Sequence, residues 1–186
     1  MRNGRGETLS SEEVLEVRID RHVFVSDRPF ANVISGIYEG ISQPDIETLF
    51  GELAASTTYG QLSSLVRQAQ GSAGLMRFLQ LDLSTVLALD PGAPEEARCR
   101  LVRLIAGNPV TMGQMTRHLP DAGSYAPVTI LIQELPDGRT RIAYDTVSSA
   151  IGGYGTSPAA QVAEHLDSEV LGLLRKASGV ARPASH

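Results

Sequence analysis

The chain has 186 residues, enough for one domain with a real core and short of two comfortable ones. A formal charge of -5 and the absence of a concentrated basic cluster argue against a nucleic-acid partner, because phosphate contacts need a basic surface. No tryptophan and few aromatic residues leave Leu, Ile and Val to fill the interior, and the single cysteine, Cys99, excludes an internal disulfide and a cysteine-based metal site.

Met1 to Ser11 carries Arg2 and Arg5 with no apolar stretch behind them, which is not the pattern of a secretory signal. No later apolar run reaches membrane-spanning length, so no membrane is expected and a cytoplasmic location is. Residues 1–11 and 177–186 are small and polar and are expected to be disordered, leaving one domain over residues 12–176. His186 lies in that tail, away from any site.

The stretch "VLEVRIDRHVFVSD" alternates through Val17, Ile19 and His22 or Val23, predicting a first strand that ends at Ser26-Asp27, with His22 a half-exposed strand residue. In "SQPDIETLFGEL", Ile46, Leu49, Phe50 and Leu53 share one helical face, with Ser42 and Pro44 as start signals. "TTYGQLSSLVRQAQ" repeats the pattern through Leu62, Leu65 and Val66 behind a Thr58 to Gln61 capping box, and Gly71 and Gly74 stop it.

The period then changes to two at Leu79, Leu81 and Leu83, which predicts a strand. "DPGAPEE" turns the chain, "RCRLVRLIAG" is the next strand, and "VTMGQMTRH" is a short helical excursion after Gly107-Asn108-Pro109. A hairpin follows: Val128, Ile130 and Ile132 face one way, Pro136-Asp137-Gly138 turns, and Ile142 with Tyr144 returns. Val162, Leu166, Val170, Leu173 and Leu174 then line one face of a closing helix, with His165 on its solvated flank.

Strand, helices, four antiparallel strands, helix is an α+β order, with the helices around Ile46–Val66 and Val162–Leu174 expected on one face of the sheet. The strands carry apolar residues on both faces, since Leu131 opposes Ile130 and Ile132. Helices on one side cover only half of that surface, and the remainder calls for a second chain, a ligand or both, hence a homodimer.

"GNPVTMGQMTRHLPDAGSYAPVTILIQE", "DGRTRIAYDTVSS" and "VAEHLDSEVLGLL" together resemble the domain-of-unknown-function 302 family, over roughly residues 30–176 and most clearly in the second half. The resemblance implies a TATA-binding-protein-like α+β fold, dimeric association, and motif positions at Asn108 and Pro109, His118, Pro120, Pro127, Tyr144 with Asp145, Ser148 with Ser149, and Leu166 with Asp167. It implies neither a reaction nor DNA binding.

The hairpin brings the loop before Pro127 to the same end of the sheet as Tyr144, so His118, Tyr125, Tyr144, Asp145 and Ser148 could converge there. His118, Tyr144 and Asp145 are the candidate catalytic set: an acid or base, a phenol donor and a carboxylate orienter, enough for proton transfer of a lyase or isomerase type. Asn108, Met115, Tyr125, Ser148, Ser149 and Tyr154 are the candidate ligand-binding residues, with the glycine-rich Ser148–Gly155 segment as a covering loop. The structural alternative is that His118 caps the preceding helix, Asp145 holds the next turn and Tyr144 is core with a bonded hydroxyl. The sequence favours it over catalysis.

A metal lacks a third ligand at a recognisable spacing. Haem is the one cofactor the residues suggest, through His118 with Met112 and Met115, although methionines at i and i+3 more often pack than ligate. Arg98 with Arg100, and Arg139 with Arg141, could form a basic stripe for an anionic ligand if their strands are neighbours; solubilising edge arginines are the alternative. The leading reading is a small-molecule binding or sensing domain, and the other is a small enzyme using His118 and Tyr144, cofactor-free or haem-linked.

Overall fold

The computed structural model describes residues 12, 14–155 and 157–181. Among them five strands form one antiparallel sheet: β1 (Arg21–Ser26), β2 (Met76–Asp82), β3 (Leu101–Gly107), β4 (Val128–Glu134) and β5 (Thr140–Asp145). Their lateral order is β1-β5-β4-β3-β2. The sheet therefore has one strand more than the sequence suggests, because the first strand pairs with β5 and joins it as an edge. Val17 and Ile19 precede that strand and are exposed.

One face is packed under helices. Phe24, Val102, Leu104, Ala106, Val128, Ile130, Ile132, Ile142 and Tyr144 alternate along their strands to point into a single core. The layer over them is built by α1 (Phe30–Tyr38), α5 (Pro109–Thr116) and α7 (Pro158–Ser178), with α1 and α5 packed against α7. The helices expected at Ile46–Val66 exist, as α2 (Ile46–Ala55) and α3 (Tyr59–Ala69). They build a second small cluster, with Leu49, Leu53 and Val66 around Met76. Helix α1 does the covering instead, through Phe30, Val33 and Ile37.

Local chemistry explains the boundaries. Asp45 caps α2 by accepting from the Thr48 amide, and Thr58 caps α3 by accepting from Gln61. Asn108 accepts from the Val110 and Thr111 amides to start α5, with Pro109 at its first turn. The β4–β5 turn requires Gly138 at φ 84°, a left-handed conformation that costs glycine nothing. Helix α7 closes on Gly179 at φ 71°, and Ala177 and Ser178, expected in the tail, are buried in its last turn. The rest of the expected disorder, at residues 1–11 and 182–186, lies outside the described residues.

Two further short helices, α4 (Ser84–Leu89) and α6 (Val147–Ile151), stand where turns or loop were expected. No helix among the described residues is long and apolar enough to cross a membrane.

Candidate functional site

Among the described residues no helix lies over the second face of the sheet, and its residues follow from the register. Across the middle row, Val23 pairs with Ala143, Ala143 with Leu131, Leu131 with Arg103, and Arg103 with Leu81. The row on one side runs Val25, Arg141, Gln133, Leu101, and on the other Arg21 faces Asp145 while Thr129 pairs with Ile105, itself paired with Leu79. This face thus has aliphatic margins, where Val23, Val25, Leu79 and Leu81 are 37–48% exposed, and a mixed centre of arginines around Ala143 and Leu131.

A cleft of about 460 Å³ opens on that centre. Its floor is Leu131, Ala143 and Thr129; one wall is the Ser124–Pro127 segment with Tyr125, and another is Thr146, Val147 and Ala150 at the start of α6. Arg21, Arg103 and Arg141 border it together with Asp145. Arg21 grips Asp145 with two hydrogen bonds of 2.6 and 2.7 Å. That hydrogen bond, with the guanidinium charge, holds the Asp145 carboxyl below its ordinary range, so the pair is ionised. Within the described residues Arg103 reaches only the Thr129 hydroxyl, at 3.5 Å. Among the described residues neither Arg103 nor Arg141 forms an ion pair.

The candidate residues are divided between the two faces. Tyr144 and Asp145 are neighbours on β5 and therefore point to opposite sides of the sheet. Tyr144 is 1% exposed, and its hydroxyl donates to Asp167 Oδ1 at 2.5 Å. Burial, then the Asp167 charge, pushes the phenol above its ordinary range, so Tyr144 stays protonated. Asp167, itself 4% exposed, also accepts from the Val147 and Ser148 amides at 2.9 Å and so anchors the N-terminus of α6. The turn is thus held by Asp167, and Asp145 is free to face the cleft.

His118 is exposed after α5, where its Nε2 accepts from Arg117 Nε; its backbone amide, not its ring, bonds back to Met115. The structure does not bring it to Tyr144. Of the three residues that suggested haem, Met115 is fully buried in the core and Met112 is half-buried against it, while His118 faces solvent, so His118 and Met115 do not face a common space. Among the described residues no group of three His, Cys, Asp or Glu side chains is placed to hold a metal.

Of the candidate ligand-binding residues, Tyr125 lines the cleft. Ser148 lines a separate recess of about 320 Å³ with His22, Asp167 and Arg175. Ser149 is engaged locally, accepting from Thr146 Oγ1 and the Asp20 amide. Asn108 spends its amide on Gln70 and Gly74 and its oxygen on the α5 cap. Tyr154 is half-buried, its phenol pushed up by a hydrogen bond to Asp121. The Ser148–Gly155 segment is helical through Tyr154, as α6 and a 3₁₀ turn.

Of the four arginines in the expected stripe, only Arg141 reaches the cleft. Arg100 pairs with Glu134 and lies over the Phe30 ring, and Arg139 pairs with Asp137 in the turn. The sequence reasoning missed Arg21 and Arg103, and it named Asp167 only as a motif position, without a role. Arg103 had a signal, as the one charged residue inside the strand "LVRLIAG".

The family model described as Domain of unknown function DUF302 matches residues 52–171, more than half of the chain. The chain belongs to this DUF302 family. The structure is similar to the crystal structure of an uncharacterized conserved DUF302 protein from Bacillus stearothermophilus, at TM-score 0.55 and 13% identity, covering 84% of this chain and 97% of that one. At that identity the likeness shows a shared fold. A comparison with curated proteins finds no match. For the DUF302 domain the site must therefore be read from its own residues, and the cleft over Leu131 and Ala143 is where charged, hydroxyl and apolar groups meet.

Proposed function

We propose that this DUF302 chain is a small-molecule binding domain that takes its ligand in the cleft on the uncovered face of the sheet and works as a homodimer. The observation that carries the reading is the cleft itself: a concave space of about 460 Å³ with an apolar floor on rigid strands and polar groups around it. Ligand sites of this size, mostly apolar with a few fixed polar groups, are the common form of a small-molecule pocket. The exposed margins at Val23, Val25, Leu79 and Leu81 favour the second copy, because they flank the cleft with aliphatic surface that a two-fold partner would cover.

A thermal-shift screen of wild type against Leu131→Trp, which fills the cleft floor, tests the ligand site. Compounds that stabilise wild type are expected to lose that effect in the variant. Stabilisation of equal size in both proteins would place the ligand elsewhere. Light scattering tests the partner: a species of twice 19.9 kDa is expected at micromolar concentration, and a monomer at every concentration would remove the dimer.

A further inference from the structure

We infer that the cleft selects an oxyanion: a carboxylate or phosphate joined to a small apolar body, held between Arg103 and Arg141. This rests on the cleft being the ligand site and names the chemistry it takes.

The charge of the cleft is opposite to that of the chain. Three arginines against one aspartate give its border a formal +2, on a protein whose net charge is -5. The aspartate is already committed to Arg21, so the excess resides on Arg103 and Arg141. Arginines on sheet edges keep edges soluble, but that account does not reach these two, because β3 and β5 are interior strands flanked on both sides. Leu131 separates them: it pairs with Arg103 on one side and with Ala143, two residues along from Arg141, on the other.

A guanidinium presents parallel N–H donors that match the two oxygens of a carboxylate or phosphate, and the bond is charge-assisted. The apolar floor and the Tyr125 wall exclude water from one side of such a contact and give the rest of the ligand a surface to cover. Arg103 is exposed and Arg141 half-buried, so a neutral ligand gains nothing from either guanidinium while an oxyanion pairs with both, and the site discriminates by charge.

Isothermal titration calorimetry of the full chain in a buffer free of phosphate tests the inference with benzoate, phenyl phosphate and benzamide, on wild type, Arg103→Ala, Arg141→Ala, Arg103→Lys and Leu131→Trp. Both anions are expected to bind at least tenfold more tightly than benzamide, each alanine variant to weaken them about tenfold, and lysine to restore part of the loss. The preference between the two anions identifies carboxylate or phosphate as the source. Anions that bind no better than benzamide, or that ignore both alanine variants, overturn the inference. If in that case the Leu131→Trp variant still abolishes binding, the cleft stands as a ligand site of another chemistry. If no probe binds wild type at millimolar concentration the oxyanion class is also overturned, and the screen with Leu131→Trp decides the cleft separately.

Discussion

On the helix side of the sheet Ile130, Ile132, Leu104 and Ile142 are at most 1% exposed, whereas one position along the same strands Leu131, Arg103 and Arg141 reach the cleft. The backbone is shared, so the contrast belongs to the side chains and to what lies over them. The covered face is uniform and contributes stability; the uncovered face mixes charge with aliphatic surface and is where the proposed recognition would lie. The sharpest test compares neighbours. Ile130→Ala should cost about 4 kcal/mol by denaturant unfolding, through lost transfer energy and a cavity, and Leu131→Ala about 1 kcal/mol or less. Equal costs would mean that the second face is as fully packed as the first.

The next largest effect lies where the covered face meets α6. Asp167→Ala strands the Tyr144 hydroxyl and the Val147 and Ser148 amides without their acceptor, and should cost about 3 kcal/mol. Tyr144→Phe removes one donor and should cost about 1 kcal/mol. It should also change the alkaline limb. Burial and Asp167 raise the Tyr144 pKa above its ordinary value of 10.0, so the stabilisation is complete below that pH and is lost as pH rises beyond it. Unfolding midpoints at pH 9 and 11 should therefore diverge more in wild type than in Tyr144→Phe.

How much of this was legible depends on how local its cause is. The β4–β5 hairpin, the Thr58-capped start of α3 and the face of α7 rest on alternation, turn residues and helical spacing within about twenty residues of sequence, whereas α2 starts behind Asp45 and not at the Ser42 and Pro44 signals, and Asn108 serves as the α5 cap. Helix α1 was missed although Phe30, Val33 and Ile37 share a face, because Pro29 makes no side-chain cap and the first turn holds no acidic residue to mark a start. Helix α6 is five residues long and is held by a carboxylate twenty positions later, a tertiary cause that no local pattern carries. The cleft is less legible still. Arg21, Arg103 and Arg141 meet only through the register of three strands, so spacing along the chain says nothing of their proximity. The resemblance to the family placed weight on His118 and Tyr144, and burial separates them.

The smallest effect on stability is also the finest test of the difference between the faces. Asp145 and Arg21 are 41% and 60% exposed, so the pair is screened by water, and Asp145→Asn should scarcely move the melting temperature. Its effect on the cleft should be larger, since the substitution takes the border from a formal +2 to +3 and releases Arg21 from its bidentate partner. If the uncovered face recognises an oxyanion, phenyl phosphate should bind Asp145→Asn about threefold more tightly than wild type at pH 7, with a steeper loss of affinity as salt is added. The same gain is accessible to wild type only through protonation of Asp145. The Arg21 hydrogen bond holds that carboxyl below its ordinary 3.8, so the pair survives across the neutral range, and the gap between wild type and Asp145→Asn should close only as pH falls beneath that value, protonation of the phosphate weakening binding to both proteins alike. Weaker binding of phenyl phosphate by Asp145→Asn at pH 7 would mean instead that the aspartate holds Arg21 in the position the ligand needs, and the cleft would then count three working arginines already in place.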